Sequence, residues 1–279
     1  TVRKLFEMKL QIPCIDTICN LADISKKEDN IKEIEECINI AANLKIPYIR
    51  IYASEQDYTE EKNENVKKVI SCVLEKAEEK GVTLLMETSG IYADTSLLRE
   101  LLESFASDTL GALWDMYSPY FVCDEQPETT IKNLGAYIKH VHIKDAARTD
   151  NGTEFCLMGE GETPIHDMMN ALRSVNYDGF ISLEWDPKWC EELDDMEIIF
   201  SQFINYMKQF SDTSKSDNSL YYNRAHTGRY VWEKDRLIDC TFSEVLDKMV
   251  EEFPDQYAFK YTTLDYTRTY SQFREDVDR

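Results

Sequence analysis

Between residues 10 and 184 the chain alternates short apolar runs with longer amphipathic ones. The apolar runs are Leu10–Ile18 (LQIPCIDTI), Tyr48–Tyr52 (YIRIY), Val82–Glu87 (VTLLME), Leu110–Asp115 (LGALWD), Tyr137–Lys144 (YIKHVHIK) and Phe180–Glu184 (FISLE). Between them, Asn30–Leu44 gathers Ile31, Ile34, Ile38, Ala41 and Ala42 on one helical face. Asn65–Lys80 does the same with Val66, Val69, Ile70, Val73, Leu74 and Ala77, and Gly81 stops it. Thr95 or Ser96 caps a helix reaching about Ser107, and Glu128–Tyr137, His166–Val175 and Met196–Phe210 continue the series. Residues 2–9 read as the end of a helix. Strands apolar throughout, alternating with helices every 30–40 residues or so, predict a parallel sheet covered by helices. The expected fold class is α/β, a (β/α)8 TIM barrel missing its first two strands and open along that side. A doubly wound open sheet is the alternative, but no GxGxxG lies at the first strand–helix turn. Thr1 in place of Met, and a last helix broken off at Asp278-Arg279, are what a fragment cut at both ends would give.

Composition narrows the partners. A length of 279 residues allows one large domain or two ordinary ones. A formal net charge of −22 argues against nucleic acid and against an anionic membrane surface. No apolar run approaches the roughly 20 residues of a membrane span. The cysteines at 14, 19, 37, 72, 123, 156, 190 and 240 form no CxxC pair and follow no secretory signal, which predicts free thiols and a cytoplasmic setting.

The chemistry concentrates at strand ends. In Ile138–Arg148 (IKHVHIKDAAR), alternation sets Ile138, His140, His142 and Lys144 on one side and Lys139, Val141, Ile143 and Asp145 on the other. Two imidazoles and an ammonium fill an apolar core poorly, so that face is expected to open onto a polar site. Strand C-termini converge in a parallel barrel, which brings Glu87, Asp115, His142 and Glu184 to one mouth. Three carboxylates and an imidazole there repel one another unless a cation sits between them. Such a set suits Mn²⁺, Mg²⁺ or Co²⁺ better than a structural zinc site, with Zn²⁺ as a further occupant.

These residues carry a resemblance. LLMET around Glu87, LWDMYS around Asp115, HVHIKD around His142, the GEGE loop at Gly159–Glu162 and YDGFISLEW around Glu184 resemble the xylose-isomerase-like barrel family of sugar-phosphate isomerases and epimerases. The resemblance covers about residues 1–210 and the family's third to eighth strands. It implies Glu87, Asp115, His142 and Glu184 as metal ligands, with Glu87 and Glu184 also moving a proton between neighbouring carbons through an enediolate. The implied substrate is a small keto-sugar, polyol or sugar phosphate. Arg148 matches a substrate-contacting arginine of the ketose 3-epimerase branch. Lys144 either binds a substrate oxygen or pairs with Asp145 or Glu162. An inosose-type dehydratase on the same metal site and a non-catalytic ligand-binding or scaffold barrel are the competing readings. An AP-endonuclease-like activity is disfavoured by four histidines and the negative charge.

The sequence departs from the family at Ser118, where many members carry histidine, and at Thr88-Ser89, where many have Asn-His. His140 is expected in the core or behind the ligands, His166 at a helix start, and His226 has no assigned role. Pairing into a homodimer is expected from the family.

Ser211–Ser219 reads as a polar linker. Beyond it, Thr241 caps a helix carrying Phe242, Val245, Leu246, Met249, Val250 and Phe253, followed by β-rich runs at Tyr257–Thr262 and Thr267–Tyr270. TFSEVLDKMVEEFPDQYAFKY…TRTYSQF resembles the opening of the adenylate-forming acyl-CoA synthetase family. It implies a barrel at 1–210, a linker at 211–219 and the start of an AMP-binding synthetase-like domain at 220–279. The nucleotide-binding loop and catalytic lysine of that family are not in this chain.

Overall fold

The computed structural model describes residues 4, 7–8, 10–55, 57–150, 152–186, 188, 195–211, 221–223, 230–232, 241–261 and 266–278. The chain falls into two compact units.

The first unit comprises Thr1–Gln126 with the segments Tyr137–His142 and Phe180–Ser182. It carries a six-stranded sheet in the order β1-β2-β3-β4-β5-β8. The strands are β1 (Cys14–Asp16), β2 (Tyr48–Ile51), β3 (Thr83–Glu87), β4 (Leu110–Asp115), β5 (Ile138–Ile143) and β8 (Ile181–Leu183). From β1 to β5 neighbouring strands pair in parallel. This is the sheet of an α/β barrel, extending from β1 to β8 among the described residues. Ile49, Ile51, Leu84, Leu85, Met86, Ala112, Leu113 and Val141 are buried on it. Both faces are therefore covered, as continuous apolar strands require.

Helices α1 (Lys27–Leu44) and α2 (Glu60–Lys80) follow β1 and β2. Ile34, Ile38 and Ala41 are buried on the first, and Val66, Val69, Ile70, Val73 and Ala77 on the second. The helix α3 (Thr95–Phe105) is capped by Asp94, whose carboxylate accepts from the Ser96 amide at 2.9 Å. The cap thus lies one residue before the earlier of the two expected hydroxyls. A helix that periodicity missed, α4 (Tyr117–Cys123), leaves β4 directly.

The second unit comprises Pro127–Ala136, Ile143–Gly179 and Leu183–Arg279. It contains α5 (Pro127–Leu134), a hairpin of β6 (Asp145–Thr149) and β7 (Gly152–Cys156), α6 (Ile165–Ser174) and α7 (Met196–Ser211). The hairpin was not expected from the sequence. His166 is the second residue of α6. The pieces Tyr221–Asn223 (β9) and Tyr230–Trp232 (β10) pair antiparallel. Thr241 caps α8 (Phe242–Glu252) through a reciprocal capping box with Glu244. An antiparallel pair, β11 (Tyr257–Tyr261) with β12 (Tyr266–Thr269), precedes α9 (Tyr270–Val277). Leu246 and Met249 are buried, but Phe242 is 70% exposed and meets Phe273 only at its edge.

The linker at 212–219, His226, Cys190 and Cys240 lie outside the described residues. The other six cysteines are free thiols. Among the described residues, no helix is long and apolar enough to cross a membrane.

Candidate metal centre

Three of the sequence-predicted ligands come together. One donor atom each from Glu87, His142 and Glu184 lie within 4.8 Å of one another. Two atoms bound to one cation at about 2.0–2.6 Å are at most about 5.2 Å apart, so the three can share an ion. Glu87 ends β3 and His142 is the penultimate residue of β5. Glu184 follows β8 and is anchored by its amide, which donates to the Ile143 carbonyl at 3.0 Å. Glu87 and His142 are buried and Glu184 is half-buried. Two carboxylates and an imidazole withdrawn from water are costly unless a cation compensates them.

The compensation within the protein comes from two bases. Arg50 Nη2 lies 3.0 Å from Glu87 Oε2, and Lys144 Nζ is ion-paired with Glu184 Oε2. Lys144, for which a substrate oxygen, Asp145 or Glu162 was the expected partner, is thus engaged by Glu184. Glu87 Oε1 faces His142 Nδ1 at 3.4 Å, and Ser89 Oγ donates to Glu87 Oε2 at 2.9 Å. Arg50 is the site residue that sequence reasoning missed. Its signal was a cation inside the apolar run YIRIY, on the same strand face as Tyr48 and Tyr52.

Asp115 is placed beside this group but not within it. It stands opposite His142 in the β4–β5 register, and is buried. Its carboxylate accepts from the amides of Tyr117 and Ser118 at 3.2 Å and from Ser118 Oγ at 2.5 Å. Ser118, where the resemblance leads to the expectation of a histidine, thus engages Asp115 directly.

His140 lies behind His142, with ring centroids 5.3 Å apart in an edge-to-face contact. Its Nε2 shares a 3.0 Å hydrogen bond with Ser182 Oγ. Burial, and then the neighbouring His142, push its pKa down to about 4. It is a neutral core imidazole.

Asp145, next to Lys144, organises the GEGE loop. Its carboxylate accepts from the amides of Ala146, Gly159, Gly161 and Thr163 at 2.7–3.2 Å. A Cβ on Gly161 would sit 2.3 Å from Asp145 Oδ1, so only glycine lets the loop close on that carboxylate. Arg148, on β6, is 43% exposed, with Nη1 3.9 Å from Glu162 Oε2. Two thiols of the first unit are quenched by burial: Cys14 is pushed up to about 12 and Cys19 to about 11. Neither stands in the ligand group.

A family model described as "Xylose isomerase-like TIM barrel" matches residues 1–200. Fructoselysine 3-epimerase of Shigella flexneri is 24% identical over 172 residues, covering 59% of this chain and 61% of that protein. The chain thus spans about three fifths of the length of the curated relatives it matches. Among solved structures, a xylose isomerase domain protein from Planctomyces limnophilus superposes with a TM-score of 0.63 at 18% identity, over 75% of this chain and 81% of that one. The IOLI protein with a binding zinc atom gives 0.63 at 18% identity, over 75% and 80%. At these identities the structural likeness establishes the fold.

Proposed function

The chain belongs to the xylose isomerase-like TIM-barrel family, and from that membership we propose that it is a divalent-metal-dependent epimerase or isomerase of a small keto-sugar, polyol or sugar phosphate. The observation that carries this reading is the convergence of Glu87, His142 and Glu184 within 4.8 Å at the strand ends. The epimerase identity of the Shigella relative and the zinc atom bound by the IOLI protein support it.

Glu87, His142 and Glu184 would hold the cation, and Asp115 is proposed as the fourth ligand. Manganese, magnesium or cobalt suits this donor set best. A bound divalent cation supplies Lewis-acid polarisation of the substrate's carbonyl and neighbouring hydroxyl, which acidifies the adjacent C–H. Glu184 would take a proton from the substrate carbon, and Glu87 would return one on the opposite face. Arg50 and Ser89 hold one oxygen of Glu87, as Lys144 holds one oxygen of Glu184. Lys144 keeps the Glu184 carboxylate in place, and Arg148 is the proposed contact to an outer substrate oxygen. An inosose-type dehydratase would begin with the same proton removal and expel a β-hydroxyl. Ser118 favours the competing reading of a binding or scaffold barrel, because it engages Asp115.

Residues 220–279 are proposed to begin an adenylate-forming ligase joined to the barrel (1–210) by the 211–219 linker. The succession of capped helix, antiparallel strand pair and second capped helix supports this. A cytoplasmic setting is proposed from the free thiols, and a homodimer from the family.

The test is deuterium exchange. Protein loaded with Mn²⁺ is incubated in D₂O with a panel of keto-sugars and inosose-type ketones, and the carbon next to the carbonyl is followed by NMR. Wash-in of deuterium with an epimeric or isomeric product is expected. An alkene or dione product would instead identify a dehydratase. No exchange by metal-loaded protein on any ketone would leave the binding barrel as the better description.

A further inference from the structure

The Arg50 side chain reaches from β2 to Glu87, Thr17 and Tyr52. Nη2 is 3.0 Å from Glu87 Oε2, Nη1 donates to the Thr17 carbonyl at 3.1 Å, and the guanidinium carbon sits 4.4 Å above the centre of the Tyr52 ring. The planar group is thus fixed by a carbonyl, an aromatic face and burial, with only 14% of its side chain exposed. Ser89 Oγ donates to the same carboxylate oxygen at 2.9 Å. Ser89 is itself placed by Gly90, whose φ is +58° and whose missing Cβ would lie 1.9 Å from the Ala53 carbonyl oxygen. Glu87 Oε2 is therefore gripped from two sides, while Oε1 is the oxygen turned towards His142.

Resting on the metal reading above, we propose that Arg50 is a positioning residue that confines Glu87 to ligation through Oε1, and that this sets the ion preference of the site. Small divalent ions of octahedral preference take one oxygen per carboxylate at about 2.0–2.1 Å for Mg²⁺. Ca²⁺ gathers about 6–8 oxygens at longer range and readily uses both oxygens of a carboxylate. A glutamate with one oxygen held by an arginine and a serine denies Ca²⁺ that second oxygen. The small ions lose nothing by it. Lysine in place of Arg50 would keep the charge but could not hold Thr17 and Glu87 with one planar fork.

The experiment is calorimetric titration of the protein with Mn²⁺ alone and with Ca²⁺ alone. Wild type, Arg50→Met, Arg50→Lys and Ser89→Ala are compared, each with a melting curve. Wild type is expected to bind Mn²⁺ more tightly. The ratio of the Ca²⁺ to the Mn²⁺ dissociation constant should fall about tenfold in Arg50→Met and about threefold in Arg50→Lys and Ser89→Ala. A merely structural role would lower the melting temperature and weaken both ions alike, leaving the ratio where it was. If Arg50→Met does not fold, the other two variants decide the matter. An unchanged ratio with Mn²⁺ still bound overturns the inference. Wild type that binds neither ion overturns the metal reading instead.

Discussion

Asp115 stands opposite His142 across the β4–β5 pairing, yet its carboxylate turns to the start of the next helix and bonds Ser118 Oγ at 2.5 Å. The strand end is where a barrel places ligands, but a hydroxyl and two amides compete for this one. Asp115→Asn is therefore expected to weaken Mn²⁺ binding less than Glu87→Gln or Glu184→Gln. It should also destabilise the fold by about 1–2 kcal/mol through loss of the charged cap. Calorimetric titration and denaturant melts of the three variants check this. Equal loss of binding in all three would make Asp115 a full ligand.

Lys144 and the proposed cation do the same electrostatic work on Glu184. Lys144→Met leaves a half-buried carboxylate without its base and should cost about 1–3 kcal/mol, below the full value for a deeply buried pair because Glu184 is 24% exposed. Saturating Mn²⁺ should then raise the melting temperature of the variant more than that of wild type. An equal rise in both would show that the lysine and the ion do not share that charge.

Four backbone amides converge on the buried Asp145 carboxylate. Asparagine there keeps the shape but turns a donor towards amides that need acceptors. Asp145→Asn should cost about 2–3 kcal/mol. Amide hydrogen exchange should accelerate at Gly159, Gly161 and Thr163. Slow exchange retained at all three would contradict the assignment.

His140 is held neutral by burial, with its pKa lowered from 6.5 to about 4. A depressed histidine means that the unfolded chain binds the proton first. Stability contributed by the neutral ring is full above pH 6.5 and falls as pH drops from 6.5 towards 4, by up to about 1.4 kcal/mol per unit. Urea melts across that range should show this slope in wild type and a flatter one in His140→Asn.

Periodicity reads the sheet well because a parallel strand buried on both faces writes its limits in hydrophobicity. Leu110–Asp115 is the strand observed, residue for residue, and Val82–Glu87 differs from it by one. Glu87 and Glu184 are legible as carboxylates closing such runs, and His142 from the alternation that sets it on one face with His140 and Lys144. What escaped was contact between segments distant in the chain. Arg50 reaches Glu87 and Lys144 reaches Glu184 across strand pairings that one sequence does not display. Helix α4 escaped for a local reason: seven residues with Pro119 in the first turn make too short a pattern to show a period. The β6–β7 hairpin escaped because its strands, DAART and GTEFC, are half polar and carry no clean alternation.

Metal content tests most directly whether these strand ends hold a divalent cation. Elemental analysis of wild type and Glu184→Gln, each after incubation with Mn²⁺ and removal of the excess, should give near-stoichiometric metal in the first and little in the second. No metal in either protein would contradict the account and leave the barrel as a binding or scaffolding module.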